Sequence, residues 1–186
     1  GLYDKSIRED NRFKDVLLTP TTDGFSLLQQ AVIHSSSEVV EQVFGLYDKR
    51  IREDNRFKDV LLTPTTDGFS LLQSAVKDSP PEVVEQVFGL YDSSIREDDR
   101  FKDVLLTPTT DGFSLLQHAV IHSPPEVIGQ VFGLYDSSIR EDDRFKGLLL
   151  NLTTDGFSLL QHAVIHSPSE VIGQVFGLYD SSIRED

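Results

Sequence analysis

The chain has 186 residues, of which 38% are hydrophobic and 26% are charged, as is typical of a folded protein and not of a disordered one. Its net charge of −14 at pH 7 argues against nucleic acid or an anionic membrane as the main partner, because either would repel this surface. The absence of cysteine excludes disulfides and thiolate ligands, and no apolar run approaches the roughly 18 residues that a membrane span needs.

The sequence repeats every 44 residues, nearly letter for letter. The word GLYD-x-x-IRED begins at residues 1, 45, 89, 133 and 177, and TTDGFSLLQ begins at residues 21, 65, 109 and 153. We therefore predict a single array over 1–186, with repeats at 1–44, 45–88, 89–132 and 133–176 and a partial repeat at 177–186. Such a period is typical of stacked-repeat folds, in which each repeat contacts its neighbours and function resides on an extended surface.

In chain order within the third repeat, the first candidate element lies between Asp98 and Thr110. The apolar spacing there suits a short helix that must stop before Thr107-Pro108, although an extended segment leading into the next turn is the alternative. The fourth repeat differs in this stretch at Gly147, Leu148, Asn151 and Leu152. We expect that copy to be looser or differently turned.

A turn and a short helix are predicted next. Asp111-Gly112 is a turn signal, because glycine adopts positive φ at no steric cost. Ser114 and Gln117 have the spacing of a capping box, in which each residue satisfies the other's backbone amide. Together they predict a helix from Leu115 to about His122.

A second capping box follows at once and predicts a second helix. Ser123-Pro124-Pro125-Glu126 would place serine at the N-cap and proline at the first helical position. The apolar pattern that follows predicts a helix to roughly Arg140 despite Gly133, which costs about 1 kcal/mol in a helix. Two abutting helix starts predict an antiparallel helical hairpin in each repeat.

This half of the repeat resembles the ankyrin repeat. The segment 155–176 aligns without a gap with the family pattern D-G-x-T-P-L-H-x-A-A-x-x-G-H-x-E-V-V-x-x-L-L. The direct matches are Asp155, Gly156, Leu160, Ala163, Glu170 and Val171, with Ser158 in the place of threonine. The departures are Leu159 for proline, Gln161 for histidine and Ser167-Pro168 for Gly-His.

The resemblance implies an all-α, right-handed helical repeat solenoid of helix-turn-helix units. Each repeat is about 11 residues longer than an ordinary ankyrin repeat, so the excess either lengthens the second helix or adds a third. HEAT and armadillo repeats are also near this length, but they lack an Asp-Gly turn followed directly by a short capped helix. The implied function is a non-enzymatic protein-interaction scaffold that uses the concave face.

Two sets of residues are the candidate partner-binding positions. A phenylalanine follows each turn glycine, where ankyrin-like arrays tend to face the concave side; burial between turns is the alternative. On the first helix, two positions differ between copies and have an exposed helical phase, which indicates either partner selection or surface drift. The residues are Phe25, Phe69, Phe113 and Phe157; Gln30, Ser74, His118 and His162; and His34, Asp78, His122 and His166.

We predict no catalytic residue, cofactor or metal. The histidine pairs 118/122 and 162/166 have a spacing that can hold zinc, but no carboxylate motif accompanies them and the set is not periodic. The repeated acids at Asp54, Asp98, Asp99, Asp142 and Asp143 are interpreted as solvated helix ends or loops and not as acid–base pairs.

A structural or self-assembling array that stacks end to end is the alternative function. Near-identical repeats favour it, as do uncapped ends, which are also typical of an excised or engineered segment. We expect an intracellular, cytoplasmic location, with part of a secreted effector as the alternative.

Overall fold

The computed structural model describes residues 5–183, with side chains from residue 7 onward. Over this range the chain is all-helical, with 16 helices and no strand. Their bounds are α1 Lys5–Glu9, α2 Asn11–Leu18, α3 Leu27–His34, α4 Ser37–Phe44, α5 Lys49–Arg52, α6 Asn55–Leu62, α7 Leu71–Asp78, α8 Pro81–Phe88, α9 Ser93–Arg96, α10 Asp99–Leu106, α11 Leu115–His122, α12 Pro125–Phe132, α13 Ser137–Arg140, α14 Asp143–Leu150, α15 Leu159–His166 and α16 Ser169–Ile183. None of these helices has the length and apolar character that crossing a membrane requires.

Four helices recur in the same order in each repeat. We name them by position as helix A (α1, α5, α9, α13), helix B (α2, α6, α10, α14), helix C (α3, α7, α11, α15) and helix D (α4, α8, α12, α16). Helices C and D form the predicted hairpin, and helices A and B lie in the rest of the repeat. The helical reading of 98–110 is therefore confirmed by α10.

The chain divides into two compact units, Gly1–Glu97 and Asp98–Asp186. In the first unit, helices of one type pack on each other across the repeat boundary: α2 on α6, α3 on α7 and α4 on α8. In the second unit, the corresponding pairs are α10 with α14, α11 with α15 and α12 with α16. In both units, helix C also packs on helix D of its own repeat.

The tyrosines of the second, third and fourth GLYD words tie helix B to the segment that follows helix D. The hydroxyl of Tyr135 donates to the carbonyl of Leu105 at 2.8 Å, and Tyr47 and Tyr91 make the same 2.8 Å bond to Leu17 and Leu61. Each acceptor lies in the last turn of a B helix, where carbonyls have no partner within the helix. Burial raises the pKa of Tyr135 well above its ordinary value, so the hydroxyl keeps its proton and remains a donor.

The predicted end of the second helix is wrong in the third repeat. Helix α12 ends at Phe132, and a separate helix α13 begins at Ser137, because Asp136 takes an extended conformation and caps α13 by accepting from the Ile139 amide at 3.1 Å. Tyr135 lies between the two helices and points into the core. In the fourth repeat, by contrast, helix α16 runs without a break through Gly177.

The predicted cap of the second helix is also wrong. Ser123 ends α11 and does not cap α12, whose N-cap is Pro124 with no side-chain cap. The serine at this position bonds elsewhere: the Ser79 hydroxyl donates to the carbonyl of Val32 in the preceding repeat at 2.9 Å.

The fourth copy of helix B is also not loosened. Helix α14 has the same length as α10 and ends in the same way, with the amide of Asn151 donating to the Gly147 carbonyl at 2.8 Å. Main-chain bonds need no particular side chain, and Phe145 and Leu149 remain buried beneath the helix. The substitutions at 147–152, which include the buried Leu148, therefore leave the helix and its end unchanged.

Candidate functional site

Each TTDGF segment folds into a closed turn immediately before helix C. In the second repeat, the amide of Thr65 donates to the Phe69 carbonyl at 3.0 Å, and the amide of Phe69 donates to the Thr65 hydroxyl at 3.1 Å. Gly68 has a φ of +83°, a conformation that glycine adopts far more easily than other residues. The predicted glycine turn is confirmed at Gly24, Gly68, Gly112 and Gly156.

Consecutive turns are hydrogen-bonded within each compact unit. In the first unit, the amide of Thr66 donates to the Asp23 carbonyl at 3.1 Å, and the Gln29 side chain donates to the Phe69 carbonyl at 3.0 Å. In the second unit, the amide of Thr154 donates to the Asp111 carbonyl at 3.2 Å. These bonds fix the spacing between the side chains that the turns carry.

The backbones of neighbouring turns also approach closely at glycine. A Cβ added at Gly24 would lie 3.1 Å from the Cα of Thr65 in the next turn. The glycine is thus required both for its positive φ and for this approach.

The four turn phenylalanines are neither a fully exposed ladder nor a buried one. Phe25, Phe69 and Phe113 are half-buried, and Phe157 is just exposed. Two of the rings contact a histidine of helix C in the same repeat, with ring centroids 5.5 Å apart for Phe113 and His118 and 5.4 Å apart for Phe157 and His162. All four phenylalanines are partly accessible to solvent.

The fourth residue of helix C was predicted to be exposed, and this prediction is wrong. Ser74, His118 and His162 are buried and Gln30 is half-buried. The cause lies in neighbouring side chains: the ring of Phe113 stacks on His118 at 5.5 Å and also meets His162 of the next repeat at 5.7 Å. Sequence reasoning missed this because helical phase within one repeat says nothing of the turn beside it.

His162 has the most constrained environment of this set. Its Nε2 lies 3.3 Å from the Thr153 hydroxyl and 3.7 Å from the Asp155 carboxylate. Burial lowers the pKa of His162 below 6.5, opposed by the attraction of Asp155 and assisted by the nearby His166. The ring is therefore held in its neutral form at pH 7.

The position at the end of helix C is exposed in all four repeats, as expected. It carries His34, Asp78, His122 and His166. In the second unit these histidines continue the aromatic contacts outward, since the rings of His118 and His122 lie 6.0 Å apart, as do those of His162 and His166. In the first unit the neighbouring contact is cationic, with the Lys77 ammonium 4.6 Å above the Phe69 ring.

Three of the repeated acids, Asp54, Asp98 and Asp142, are helix N-caps, and Asp99 and Asp143 are the first residues of α10 and α14. Asp54 and Asp142 accept from the backbone amides of Arg56 and Arg144 and start the B helices. The hydrogen bond from the Arg56 guanidinium lowers the pKa of Asp54 to about 2, so this carboxyl is ionised at neutral pH and holds no proton to donate. Within residues 5–183, no group of three or more metal-binding side chains is placed to hold an ion.

A charged groove beside helices A and B was not anticipated from the sequence. In the first unit it has a volume of about 600 Å³ and is lined by Asp48, Arg52 and Lys58 among others; the second unit has its counterpart, about 470 Å³, beside Arg140 and Lys146. Its side chains are engaged in caps and backbone contacts, as when Arg52 donates to the Tyr47 carbonyl at 2.7 Å.

No family model matches the chain, and no curated protein sequence matches it.

Proposed function

We propose that the chain is a non-enzymatic protein-binding scaffold of ankyrin-like type. The binding surface, which we name the turn surface, consists of the four turn phenylalanines and the four exposed ends of helix C. Its members are Phe25, Phe69, Phe113 and Phe157 with His34, Asp78, His122 and His166. The observation that carries the proposal is that every repeat has a partly exposed phenylalanine at its turn and an exposed residue at the end of helix C, where Asp78 differs from the histidine of the other copies.

The hydrogen bonds between turns support this function. A surface that is already ordered loses little conformational entropy when a partner binds. Bonds such as that from Gln29 to the Phe69 carbonyl hold the main chain of each turn in place, and the capping boxes hold the start of each C helix. Aromatic side chains on such a frame are suited to contribute most of the binding energy.

Packing of like helices on like helices within each compact unit supports a right-handed ankyrin-like solenoid as the architecture.

The partner is a protein, since the net charge of −14 disfavours polyanions. The ionised, arginine-paired aspartates support a function without acid–base catalysis. A cytoplasmic setting suits a scaffold that has no cysteine.

A quantitative pull-down tests the turn surface. The four turn phenylalanines are replaced by serine, and the matched control replaces four helix-D glutamines, Gln42, Gln86, Gln130 and Gln174, by serine. We expect specific partners to be recovered at least about tenfold less by the phenylalanine variant than by the control, because aromatic anchors carry most interface energy. Equal recovery by both variants, with helicity retained in circular dichroism, would exclude the turn surface as the binding site.

A further inference from the structure

Two apolar faces at opposite ends of the sequence are exposed, although their counterparts in other repeats are buried. The leading face belongs to the first repeat and includes Val16 on α2 and Val39 on α4, which are 67% and 44% exposed. Their counterparts in the second repeat, Val60 and Val83, are 6% and 1% exposed. The difference arises because α6 and α8 pack on α2 and α4, whereas no described helix packs on this side of the first repeat.

The trailing face belongs to the fourth repeat. It is formed by Leu150 on α14, Val164 on α15 and Phe176 on α16, each at least 50% exposed. The third-repeat counterparts are Leu106, Val120 and Phe132, each at most 7% exposed. Exposed apolar side chains that cluster on one face mark an interaction site.

The two faces are the two halves of one interface, which the protein already forms internally. Within a compact unit, the trailing side of one repeat receives the leading side of the next, through B on B, C on C and D on D. We propose that the leading face of one copy of this chain docks on the trailing face of a second copy, so that copies associate head to tail. This inference is independent of the turn surface, whose side chains differ from the apolar side chains of the two faces.

The polar groups of the two faces also match. Inside the first unit, the Ser79 hydroxyl donates to the Val32 carbonyl, and the Gln29 side chain donates to the Phe69 carbonyl. The same groups recur on the two faces. On the leading face they are the Ser35 hydroxyl and the Phe25 carbonyl, and on the trailing face they are the Val164 carbonyl and the Gln161 side chain. A docked second copy therefore satisfies these groups in the register of the internal interface.

Charge at the junction is nearly, but not fully, reproduced. The internal ion pair of Lys14 with Asp54, at 3.4 Å, has its counterpart in Lys146 and Asp10 of the second copy. The pair of Arg56 with Asp15, at 2.7 Å, has none, because Gly147 occupies the aspartate position in the fourth repeat. Exposed ion pairs contribute little, so the apolar contacts carry the association. Copies with a net charge of −14 repel one another at long range, and salt at about 0.15 M or above screens this repulsion.

Two complementary variants test the polarity of the association. Val16→Lys blocks the leading face and Val164→Lys blocks the trailing face; both side chains are exposed, so neither change should impair folding. The control is Ile165→Lys, since Ile165 is exposed and its second-repeat counterpart, Lys77, remains exposed within the protein.

Sedimentation velocity is measured on each protein at equal concentration. We expect the unmodified chain and the control to form species larger than two copies. Each face variant alone should associate at least about tenfold more weakly. An equimolar mixture of the two face variants should form a dimer and nothing larger, because only one productive junction remains. Self-association of either variant alone at unmodified strength, or a monomeric mixture, would overturn the head-to-tail proposal. Both outcomes leave the pull-down of the turn surface unaffected.

Discussion

At the scale of single residues, the turn glycines determine how closely the backbones of neighbouring turns approach. The burial of histidines determines whether their side chains carry a charge. Gly24 is required for its positive φ and for the 3.1 Å approach to Thr65, whereas Gly156 has nearly the same φ but no neighbour within 4 Å of an added Cβ. This pair of glycines separates the cost of backbone conformation from the cost of crowding.

We predict that Gly24→Ala destabilises the protein more than Gly156→Ala does. Both changes place an L-residue in the left-handed region, which costs about 1–2 kcal/mol. Only the first also forces the Thr65 backbone to move, which should add about 1 kcal/mol or more. Urea unfolding at micromolar concentration, where copies are dissociated, gives both values; equal losses would show that the approach at Gly24 carries no cost.

His162 predicts a loss of stability in mild acid. The unfolded chain binds a proton there near pH 6.5, while the folded chain binds it only at lower pH, because burial lowers the pKa of His162. The free energy of unfolding should therefore fall as pH drops below 6.5, and level off once the folded state is also protonated.

The matched variant for this prediction is His162→Gln, which installs the residue that the first repeat has at Gln30. Its free energy of unfolding should fall less than that of the unmodified chain between neutral pH and about pH 5. Parallel profiles for the two proteins would remove His162 as the source of the acid sensitivity.

At the scale of helices, the segment of helices A and B is held to the hairpin by capping bonds that span repeats. Tyr135 is the clearest case, since its buried hydroxyl donates to the carbonyl of Leu105 thirty residues earlier, at the end of α10. This bond gives the tyrosine of the GLYD word a structural role, which Tyr47 and Tyr91 share. Tyr179 makes the equivalent bond to Leu149 from within α16, so this bond does not require helix D to end.

We predict that Tyr135→Phe costs about 1–2 kcal/mol, because a buried carbonyl loses its partner. Tyr179→Phe is the comparison: its hydroxyl also donates to a helix-B carbonyl, that of Leu149, but Tyr179 is only half-buried, so water can replace the bond. In denaturant unfolding, Tyr179→Phe should therefore lower the free energy of unfolding less than Tyr135→Phe does. A loss below about 0.5 kcal/mol at Tyr135 would show that this cap does not hold helix B.

Local signals predicted the elements that local bonds create. The capping box of Ser114 and Gln117 predicted α11 with its bounds, since both bonds lie within four residues of the chain. The end of α12 was missed although the cap that follows it is local, since Asp136 accepts from the Ile139 amide three residues later. The burial of His118 was missed because the covering ring of Phe113 belongs to the turn and not to the helix.

At the scale of the whole molecule, one interface is used repeatedly, and the same surfaces are exposed on the first and fourth repeats. The turn surface and the two apolar faces use different side chains, so partner binding and self-association can be tested by separate substitutions. Near-identical repeats make this consequence direct, because any side that one repeat buries is a side that another copy can cover.

Sedimentation velocity of the unmodified chain over a dilution series measures whether copies associate head to tail. We expect the weight-average sedimentation coefficient to rise steadily with concentration and to rise further with added salt, because like-charged copies then repel less. A coefficient that stays at the monomer value up to about 1 mM would contradict it, since the exposed faces would then have no affinity for one another.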